Sequence, residues 1–339
     1  MKKLLLAIVA VLILLVLVAF FGPAAYDWNG HKADIADAVR DATGRELVID
    51  GDISVSLLPE ITVDLSGVRL SNAPGAEIAD MVTVGAVSLR LDPFALITRT
   101  VVIKSLVITE PTANLAIDAT GRPNWAFEPA QAATEAAEAA KAGDVEPADV
   151  PDIIIENFRL ERGAVTFTNA LTGQTVSVES INAALVLPGL DSPLVFTGDL
   201  VLNGEAVSLR VDVDNPATAL AGGRFALAAK LESRLINLNY DGGAQRQPAP
   251  GLDGAFFFNI ESVGELAAWL DRPLAEGQPD PGPLRVTARF SADGAKASLD
   301  EMTIDGHGLS ATALGSFDAT GDVAKIELVL ESEFLDIDR

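Results

Sequence analysis

Residues 53–70 read I-S-V-S-L-L-P-E-I-T-V-D-L-S-G-V-R-L, and this stretch decides the fold class. Apolar side chains stand at every second position, and the alternation is interrupted only around Pro59 and Gly67. A period of two places alternate side chains on the same face of a β-strand. The stretch therefore predicts antiparallel strands with one apolar face and one solvated face. Its apolar positions are Ile53, Val55, Leu57, Ile61, Val63, Leu65, Val68 and Leu70.

The same alternation recurs along most of the chain. Asn203-Gly204 separates two alternating segments, and this dipeptide marks a two-residue hairpin because both turn residues take positive φ. We interpret each run as a short strand that a turn joins to the next, in a meander that curls into a long antiparallel sheet, or β-groove. The further runs are Val87–Leu91, Val101–Ile103, Leu106–Ile108, Leu115–Ile117, Val165–Phe167, Val176–Val178, Ile181–Leu187, Phe225–Ala229, Val286–Phe290, Ala297–Ile304, Leu309–Phe317 and Val323–Leu330.

Helical periodicity is confined to a few short segments. In the first of them, Ile35, Val39 and Ala42 form one apolar stripe. The fold class is therefore mainly β with few short helices. The segments are residues 29–43, which Gly44 ends, residues 92–99, which Asp92 caps, and residues 263–270.

The tetrapeptide D-A-T-G occurs three times, at 41–44, 118–121 and 318–321. The first copy ends the predicted helix, and the other two lie between strands. Asp and Gly are common turn residues, so we interpret the three copies as turn chemistry and not as a repeat.

The N-terminal segment predicts a membrane anchor. Leu4 to Phe21 contains no polar side chain and follows Lys2 and Lys3. About twenty apolar residues cross a bilayer core, and positive charge stays on the cytoplasmic side. We therefore expect a single transmembrane helix with a cytoplasmic N-terminus and the rest of the chain exported; a cleaved signal peptide would export the rest as well. Representative anchor residues are Leu4, Leu12, Leu17 and Phe21.

An Ala-, Glu- and Pro-rich stretch at 129–151 separates two β-rich parts. It has almost no large apolar side chain and cannot bury a core, so we interpret it as a linker. The final E-F-L-D-I-D-R resembles a strand without a closing element, and we expect the parent protein to continue. The predicted parts are the anchor (1–24), an N-terminal domain of one helix and antiparallel strands (25–128), the linker (129–151) and a β-rich groove region (152–339).

Composition disfavours several classes of function. The chain has 48 acidic and 24 basic residues, two histidines and no cysteine. A net charge of −24 argues against nucleic acid as a partner, and the lack of cysteine excludes disulfides and Cys-ligated zinc. His31 and His307 lie in different sections of the chain, which disfavours a His-based metal site or a catalytic triad. We interpret His307 as an exposed turn residue.

Two pairs of acids are the remaining chemical candidates. Asp50 with Asp52, and Asp212 with Asp214, alternate on a strand, and such pairs can bind calcium or share a proton. In a chain this acidic we interpret them as solvated strand faces. The sequence has no phosphate-loop, nucleophile-elbow or zinc-protease motif. We therefore predict no enzymatic activity, no cofactor and no metal.

The apolar sheet face is the remaining candidate surface. It can pack against a second layer, or it can line a trough, and the sequence leaves both arrangements open. An open trough of aliphatic side chains accommodates acyl chains, at about 0.8 kcal/mol per buried methylene. The candidate lipid-contacting residues are Ile53, Val55, Leu57, Val63, Leu65, Leu89 and Leu91.

In the order and spacing of its motifs, the chain resembles the AsmA family of bacterial inner-membrane-anchored envelope proteins. The resemblance implies a chorein-like N-terminal section, a rolled β-groove, and a role in outer-membrane biogenesis through the movement of glycerophospholipids across the periplasm. It also implies an association with outer-membrane protein assembly, and it transfers no catalytic residues. The motifs are Lys2-Lys3 and the anchor, then A-T-G-R-E-L-V-I-D-G (42–51), L-L-P-E-I (57–61), L-R-L-D-P-F-A-L-I (89–97), I-T-E-P-T-A-N-L (108–115), G-R-P-N-W (121–125), G-D-L-V-L-N-G (198–204), L-A-A-W-L (266–270), G-P-L-R-V (282–286) and E-F-L-D-I-D (333–338).

Two functional hypotheses follow. In the first, the protein binds or transfers phospholipid along its apolar groove. In the second, it is a non-enzymatic scaffold that regulates outer-membrane protein assembly, and its exposed edge strands recruit envelope assembly proteins by strand addition. Phospholipid that co-purifies with the protein favours the first hypothesis, and partner binding without lipid favours the second.

Overall fold

Strands dominate the computed structural model, which describes residues 27–57, 59–95, 100–127, 152–321 and 323–335. These residues form seventeen β-strands, three short α-helices and one 3-10 turn. The prediction of a mainly β protein with few short helices is confirmed. Compact packing divides the chain into a first unit, Met1–Ala184, and a second unit, Leu185–Arg339.

The described part of the first unit contains one helix followed by sheet. Its elements are the 3-10 turn Trp28–His31, α1 (Lys32–Thr43), β1 (Leu47–Ile49), β2 (Ile53–Ser56), β3 (Ile61–Ser71), β4 (Asp80–Leu91), β5 (Thr100–Ile117), β6 (Asp152–Ile155), β7 (Asn157–Asn169) and β8 (Gln174–Val186), whose last two residues belong to the second unit.

Strand β3 joins both short strands at the start of the first unit. Strands β1 and β2 each pair with it in antiparallel fashion, with Leu47 opposite Leu70 and Ile53 opposite Leu65. Strands β3, β4 and β5 then continue the antiparallel sheet.

Strands β6 and β7 both run parallel to β5. Parallel neighbours need a crossover connection, and here it is supplied by residues 118–151. The predicted linker, 129–151, lies within this connection and outside the described residues.

The second unit is a meander in which each strand from β9 to β17 is antiparallel to the next. The predicted Asn203-Gly204 hairpin is confirmed, with φ of 48° and 83° at these residues. The elements are β9 (Leu194–Leu202), β10 (Glu205–Val213), α2 (Pro216–Leu220), β11 (Phe225–Ser233), β12 (Ile236–Gln245), β13 (Gly251–Ile260), α3 (Val263–Trp269), β14 (Leu284–Asp293), β15 (Lys296–Gly306), β16 (Leu309–Asp318) and β17 (Lys325–Leu335).

The predicted N-terminal helix is present, and its apolar stripe is largely uncovered. Gly44 ends α1 with φ 68°, and its N–H donates to the Arg40 carbonyl at 2.8 Å. Ile35 is 40% exposed and Ala42 is also exposed, whereas Val39 is half-buried. The helix contacts the sheet at the short strand β1, which is too small to cover the whole stripe.

The helix predicted at 263–270 is confirmed, the cap predicted at Asp92 is present although residues 96–99 lie outside the described residues, and one helix was missed. Ser262 caps α3 by accepting from the Glu265 N–H at 2.9 Å, and Asp92 accepts from the Phe94 N–H at 2.9 Å. Helix α2 was not predicted. Its signal was Asn215-Pro216, since Asn215 caps it by accepting from the Thr218 N–H at 2.8 Å.

The predicted membrane anchor falls on residues 1–24, which lie outside the described residues, as do Leu4, Leu12, Leu17 and Phe21. Within the described part of the chain, every helix is too short or too polar to cross a bilayer. The anchor therefore remains a prediction.

Candidate functional site

The candidate lipid-contacting residues meet on one face of the first unit. Residues directly opposite each other in a ladder project from the same face, so the registers define transverse rows of side chains. We call these rows the apolar face of the first unit. One row contains Ile53, Leu65, Val87, Ile108 and Leu160, and the next contains Val55, Val63, Leu89, Leu106 and Phe158.

Six of the seven candidates fall in these rows or in the adjoining one. Leu91 lies opposite Ile61 and Ile103 in the adjoining row. Leu57 is the exception, because β2 ends at Ser56 and Leu57 is 37% exposed beyond it. The structure thus shows that six candidates share one surface, while their contact with lipid remains a prediction.

The apolar positions change parity part-way along every long strand of the first unit. In β3 they are odd at Ile61–Leu65 and even at Val68–Leu70. In a regular strand this change would send the second set of side chains to the opposite face. The same change occurs in four more strands, between Val84 and Val87 in β4, Ile108 and Pro111 in β5, Leu160 and Val165 in β7, and Val178 and Ile181 in β8.

One residue per strand accounts for the change. Gly67, Glu110, Arg162 and Ser180 have left-handed backbones, with φ of 64°, 52°, 55° and 53°. A left-handed residue occupies one position without advancing the alternation, as in a β-bulge. In β4 the change falls at Gly85, which lies between the register pairs Val68–Val84 and Ser66–Ala86, as Gly67 does. We call these five residues the slip line.

Close packing at Gly163 demonstrates that the apolar face continues across the slip line. A Cβ placed on Gly163 would lie 2.6 Å from Leu160 Cδ2 and 3.3 Å from both Pro111 Cγ and Ile181 Cβ. Leu160 precedes the slip line, whereas Pro111 and Ile181 follow it in their strands. These side chains therefore share one face. The next row beyond the line, Leu47, Leu70, Val82, Ala113 and Val165, extends that face.

The second unit has its own apolar face, and the alternation changes parity in β15, between Leu299 and Met302, where the register shifts. Its central row contains aromatic and aliphatic side chains, and the rings of Phe256 and Phe258 stack in neighbouring rows at 6.2 Å. The adjacent row on the opposite face is polar apart from Phe257. The apolar row is Leu209, Leu231, Leu238, Phe258, Val286, Ile304 and Ala311, and the opposite row is Arg210, Lys230, Asn239, Phe257, Thr287, Thr303, Thr312 and Glu331.

Few of these side chains are buried by the rest of the protein. Among the described residues the buried hydrophobic set is small, and most members of the apolar rows are half-buried or exposed. The two faces can therefore offer aliphatic and aromatic carbon to a ligand. The buried set is Ile53, Met81, Val207, Leu235, Ile260, Ala311 and Ala313.

Of the acids predicted to be solvated, Asp50, Asp52 and Asp214 are exposed and Asp212 is half-buried. Asp50 accepts from Arg69 Nε at 2.8 Å, and this bond lowers the Asp50 pKa. Asp212 accepts from Arg210 Nη2 at 2.6 Å, and Asp214 accepts from the Ala226 N–H at 2.8 Å. The described ranges contain no group of three or more His, Asp or Glu residues placed to hold a metal ion. The exposed turn position predicted for His307 is confirmed.

A buried polar cluster surrounds Asn124, in the G-R-P-N-W motif, and the sequence did not predict it. Asn124 is 6% exposed, and its Nδ2 donates to Asn72 Oδ1 at 2.9 Å and to the Asn114 carbonyl at 2.7 Å. Its own carbonyl accepts from Nη2 of Arg45, which is 8% exposed. The buried amide and guanidinium were not recognisable, because Asn in a Gly- and Pro-containing stretch normally indicates a surface turn.

Comparison with known families identifies the chain. The sequence model of the AsmA family matches residues 1–239. The chain belongs to the AsmA family. The resemblance inferred from its motifs is therefore confirmed, and the matched range includes the whole slip line of this AsmA-family protein.

One curated relative matches a shorter stretch. AsmA family protein YhjG of Escherichia coli (strain K12) is 30% identical over 133 residues. The match covers 36% of this chain and 19% of that relative. No solved structure is significantly similar to the chain.

Proposed function

We propose that this AsmA-family protein binds phospholipid acyl chains on its apolar sheet faces, and holds or passes them along within the cell envelope. The observation that carries the proposal is the half-exposed apolar face of the first unit. It crosses β2, β3, β4, β5 and β7, and the slip line keeps it on one side. A chain that needed only a soluble sheet would have no reason to keep this face both continuous and poorly covered.

The energetics favour an aliphatic ligand. Burial of a methylene contributes about 0.8 kcal/mol, so a segment of about ten methylenes contributes roughly 8 kcal/mol before the entropic costs of binding. The rows contain Val, Leu, Ile and Phe side chains, which provide area and no directional polar contacts. Such a face distinguishes lipid from polar solutes, but it does not distinguish one acyl chain from another.

The proposed setting is the periplasmic side of the inner membrane. Family membership supports a role in the envelope, and the apolar segment Leu4–Phe21 after Lys2-Lys3 supports a single-pass anchor with a cytoplasmic N-terminus. Net charge of −24 argues against nucleic acid and supports solubility of the exported part. We propose a non-enzymatic role, without cofactor or metal.

A scaffold function is the second candidate, and strand β17 favours it. Ile326, Leu328 and Leu330 lie opposite apolar-face residues of β16 and are 73%, 64% and 62% exposed. An exposed strand with apolar side chains can pair with an extended segment of an envelope assembly protein. Under this hypothesis, the apolar faces contribute only to packing.

Lipid analysis of the purified full-length chain tests the first proposal. We expect phospholipid in the organic extract of the parent protein, detected by mass spectrometry. Leu65→Glu places a charge in the middle of the first apolar face and should remove most of the lipid bound there. Thr62→Glu is the matched control, because Thr62 faces the opposite side, across from Arg90, and should leave the lipid content unchanged.

Circular dichroism and the unfolding midpoint establish that both variants are folded. Equal lipid in parent, Leu65→Glu and Thr62→Glu would contradict the proposal, as would lipid-free parent protein that still captures a partner through β17. If Leu65→Glu does not fold, Phe256→Glu and Thr312→Glu provide the corresponding pair in the second unit, where they lie on opposite faces.

A further inference from the structure

A cavity of about 750 Å³ lies at one end of the sheet in the first unit. Its walls come from the end of α1, the loop 72–78, the end of β5, the loop 118–127 and the end of β7. The volume is in the range of small-molecule sites. Leu115 and Ile117 line it, and they are the last apolar-face positions of β5, so the cavity lies at the end of that face.

Arg45 supplies a buried positive charge to this cavity. Its side chain lines the cavity, only 8% of the residue is exposed, and its Nη2 donates to the Asn124 carbonyl at 2.9 Å. Arg45 Nε is buried and has no hydrogen-bond partner among the described residues. The described residues also place no carboxylate in ion-pair contact with Arg45. A guanidinium stays protonated, and burying it without a counter-ion is unfavourable.

The Asn124 cluster fixes Arg45 through Nη2 and leaves Nε without a partner among the described residues. The Asn124 amide group is fully engaged, since Nδ2 makes two bonds and Oδ1 accepts from the Ala116 N–H at 2.9 Å. The cluster therefore holds the loop and the guanidinium in place but supplies no negative charge. An anion in the cavity would provide the missing counter-charge and a charged acceptor for the guanidinium, whose Nε has no other partner among the described residues.

Carboxylates on the cavity wall do not replace that anion. Glu77 and Asp118 line the cavity. Asp118 already accepts from the Thr120 N–H at 2.7 Å, the Thr120 hydroxyl at 2.6 Å and the Arg122 N–H at 3.0 Å. Arg122 Nε also lies 3.9 Å from Asp118. The charge of Asp118 is thus balanced locally, and Arg45 remains the unpaired one.

Large apolar side chains lie beside the polar cluster. Ile78 and Phe127 line the cavity and are 49% and 40% exposed. Trp125 is 39% exposed, and its ring lies 6.2 Å from that of Phe167. A buried guanidinium next to exposed apolar side chains fits a ligand with an anionic head and an aliphatic tail.

We infer that this cavity binds the phosphate or carboxylate head group of an amphiphile, with Arg45 as its principal contact and the acyl chain on the adjoining apolar face. The inference rests on the proposed lipid-binding function and adds a head-group preference to it. Arg45 bonds selectively to an oxyanion, whereas the apolar rows do not discriminate between head groups. An uncharged lipid with the same acyl chains would use the rows alone.

Binding of short-chain lipids to the purified full-length protein tests the inference. The probes are short-chain phosphatidic acid, diacylglycerol with the same acyl chains, and inorganic phosphate, each titrated by calorimetry. We expect Arg45→Gln to weaken the affinity for phosphatidic acid about tenfold or more and to leave the affinity for diacylglycerol unchanged. Arg40→Gln is the matched control, because it removes one positive charge from an exposed position on α1 and should change neither affinity.

A second variant keeps the test decisive if Arg45→Gln fails to fold. Ala76→Trp fills the cavity from the loop 72–78 without altering Arg45. It should likewise weaken the binding of phosphatidic acid more than the binding of diacylglycerol. If inorganic phosphate binds the parent and not Arg45→Gln, a free anion without an acyl chain is sufficient for binding at Arg45. Equal affinities of parent, Arg45→Gln and Ala76→Trp for phosphatidic acid would overturn the inference but leave acyl-chain binding intact. If neither lipid binds the parent at any concentration tested, the proposed function fails instead.

Discussion

The two units build an apolar sheet face in different ways. In the second unit, strands β9 to β14 keep their alternation and pair without a register shift, and irregularities are confined to the pairings that involve β15 and β17. In the first unit, five strands change the parity of their apolar positions at the slip line, and β5 pairs in parallel with β6 and β7. The comparison shows that a face is specified by backbone conformation together with alternation, and not by alternation alone.

Three slip-line residues, Glu110, Arg162 and Ser180, are not glycine, although their left-handed backbone is unfavourable for residues with a side chain. Glu110 and Arg162 lie in neighbouring parallel strands, and Arg162 Nε donates to Glu110 Oε1 at 3.1 Å. The Arg162 N–H donates to Asn182 Oδ1 at 3.0 Å. The second contact satisfies a backbone N–H that the left-handed residue removes from the regular ladder, and the first joins the two left-handed residues through their side chains.

The largest effect should come from crowding Gly163, which directly follows the slip-line residue Arg162. Gly163→Ala adds a methyl group 2.6 Å from Leu160 Cδ2 in a buried position, and we expect the free energy of unfolding to fall by about 1–3 kcal/mol. Gly189→Ala is the control in the second unit, because no atom lies within 4 Å of its added Cβ. Urea denaturation should show a change of less than about 0.5 kcal/mol there. Equal effects of the two variants would show that the close packing at Gly163 is not maintained.

A smaller effect of opposite sign should follow when serine is replaced by glycine in the two units. Ser180 has φ 53°, so Ser180→Gly relieves a left-handed backbone and should raise the free energy of unfolding by up to about 1 kcal/mol. Ser316 lies in the regular strand β16, where Ser316→Gly should lower it by about 0.5–1 kcal/mol. Thermal and urea unfolding measure both. If Ser180→Gly destabilises as much as Ser316→Gly, the left-handed conformation in β8 is incorrect.

The smallest effect concerns the two D-A-T-G turns between strands, one in each unit. Asp118 and Asp318 both accept from the N–H and hydroxyl of the threonine two positions on, and these bonds lower the pKa of each carboxyl, to about 2 for Asp318. A pKa below the ordinary 3.8 means that the ionised carboxylate stabilises the fold above that pH. This stabilisation is lost as the pH falls through the folded-state pKa.

Replacement by alanine isolates this pH dependence. Asp318→Ala should lower the unfolding midpoint at neutral pH, and the deficit should shrink as the pH falls from 3.8 to about 2. Asp118→Ala should behave in the same sense, since its pKa is also lowered by the Thr120 bond. Midpoints recorded across this range give the difference directly. A deficit that does not change with pH would assign the effect to the lost side chain and not to its charge.

The sequence predicted the second unit more accurately than the first, for a physical reason. The runs at 286–290, 297–304 and 309–317 each correspond to one strand, and turns separate them. Alternation is unbroken in the first and third runs, and in the second it changes parity at a register shift between Leu299 and Met302. Asn203-Gly204 specified its hairpin because the turn requires positive φ at both residues.

In the first unit, a change of parity looked like the end of a strand. The runs 101–103, 106–108 and 115–117 were interpreted as separate strands, yet they all belong to β5, which has 18 residues. Gly67 was interpreted as a break, whereas β3 passes through it from Ile61 to Ser71. A left-handed residue inside a strand and a turn between strands both interrupt the alternation, so sequence pattern alone does not separate them.

The candidate site was predicted in the same partial way. Alternation predicted that Ile53, Val63, Leu65 and Leu89 lie on one face, and they do, because residues opposite each other in paired strands project from the same face. Arg45 and Asn124 were not predicted, since their meeting depends on a contact between residues 79 positions apart. No local pattern specifies such a contact.

Site-specific photo-cross-linking in cells tests the central claim most directly. A p-benzoylphenylalanine side chain would replace Leu65 or Phe256 on the apolar faces, or Thr62 or Thr312 on the opposite faces, one position at a time. The account predicts phospholipid adducts, detected by mass spectrometry of the purified protein, at Leu65 and Phe256 and not at Thr62 or Thr312. Adducts of equal yield on both faces, or no lipid adduct at either apolar position, would contradict it.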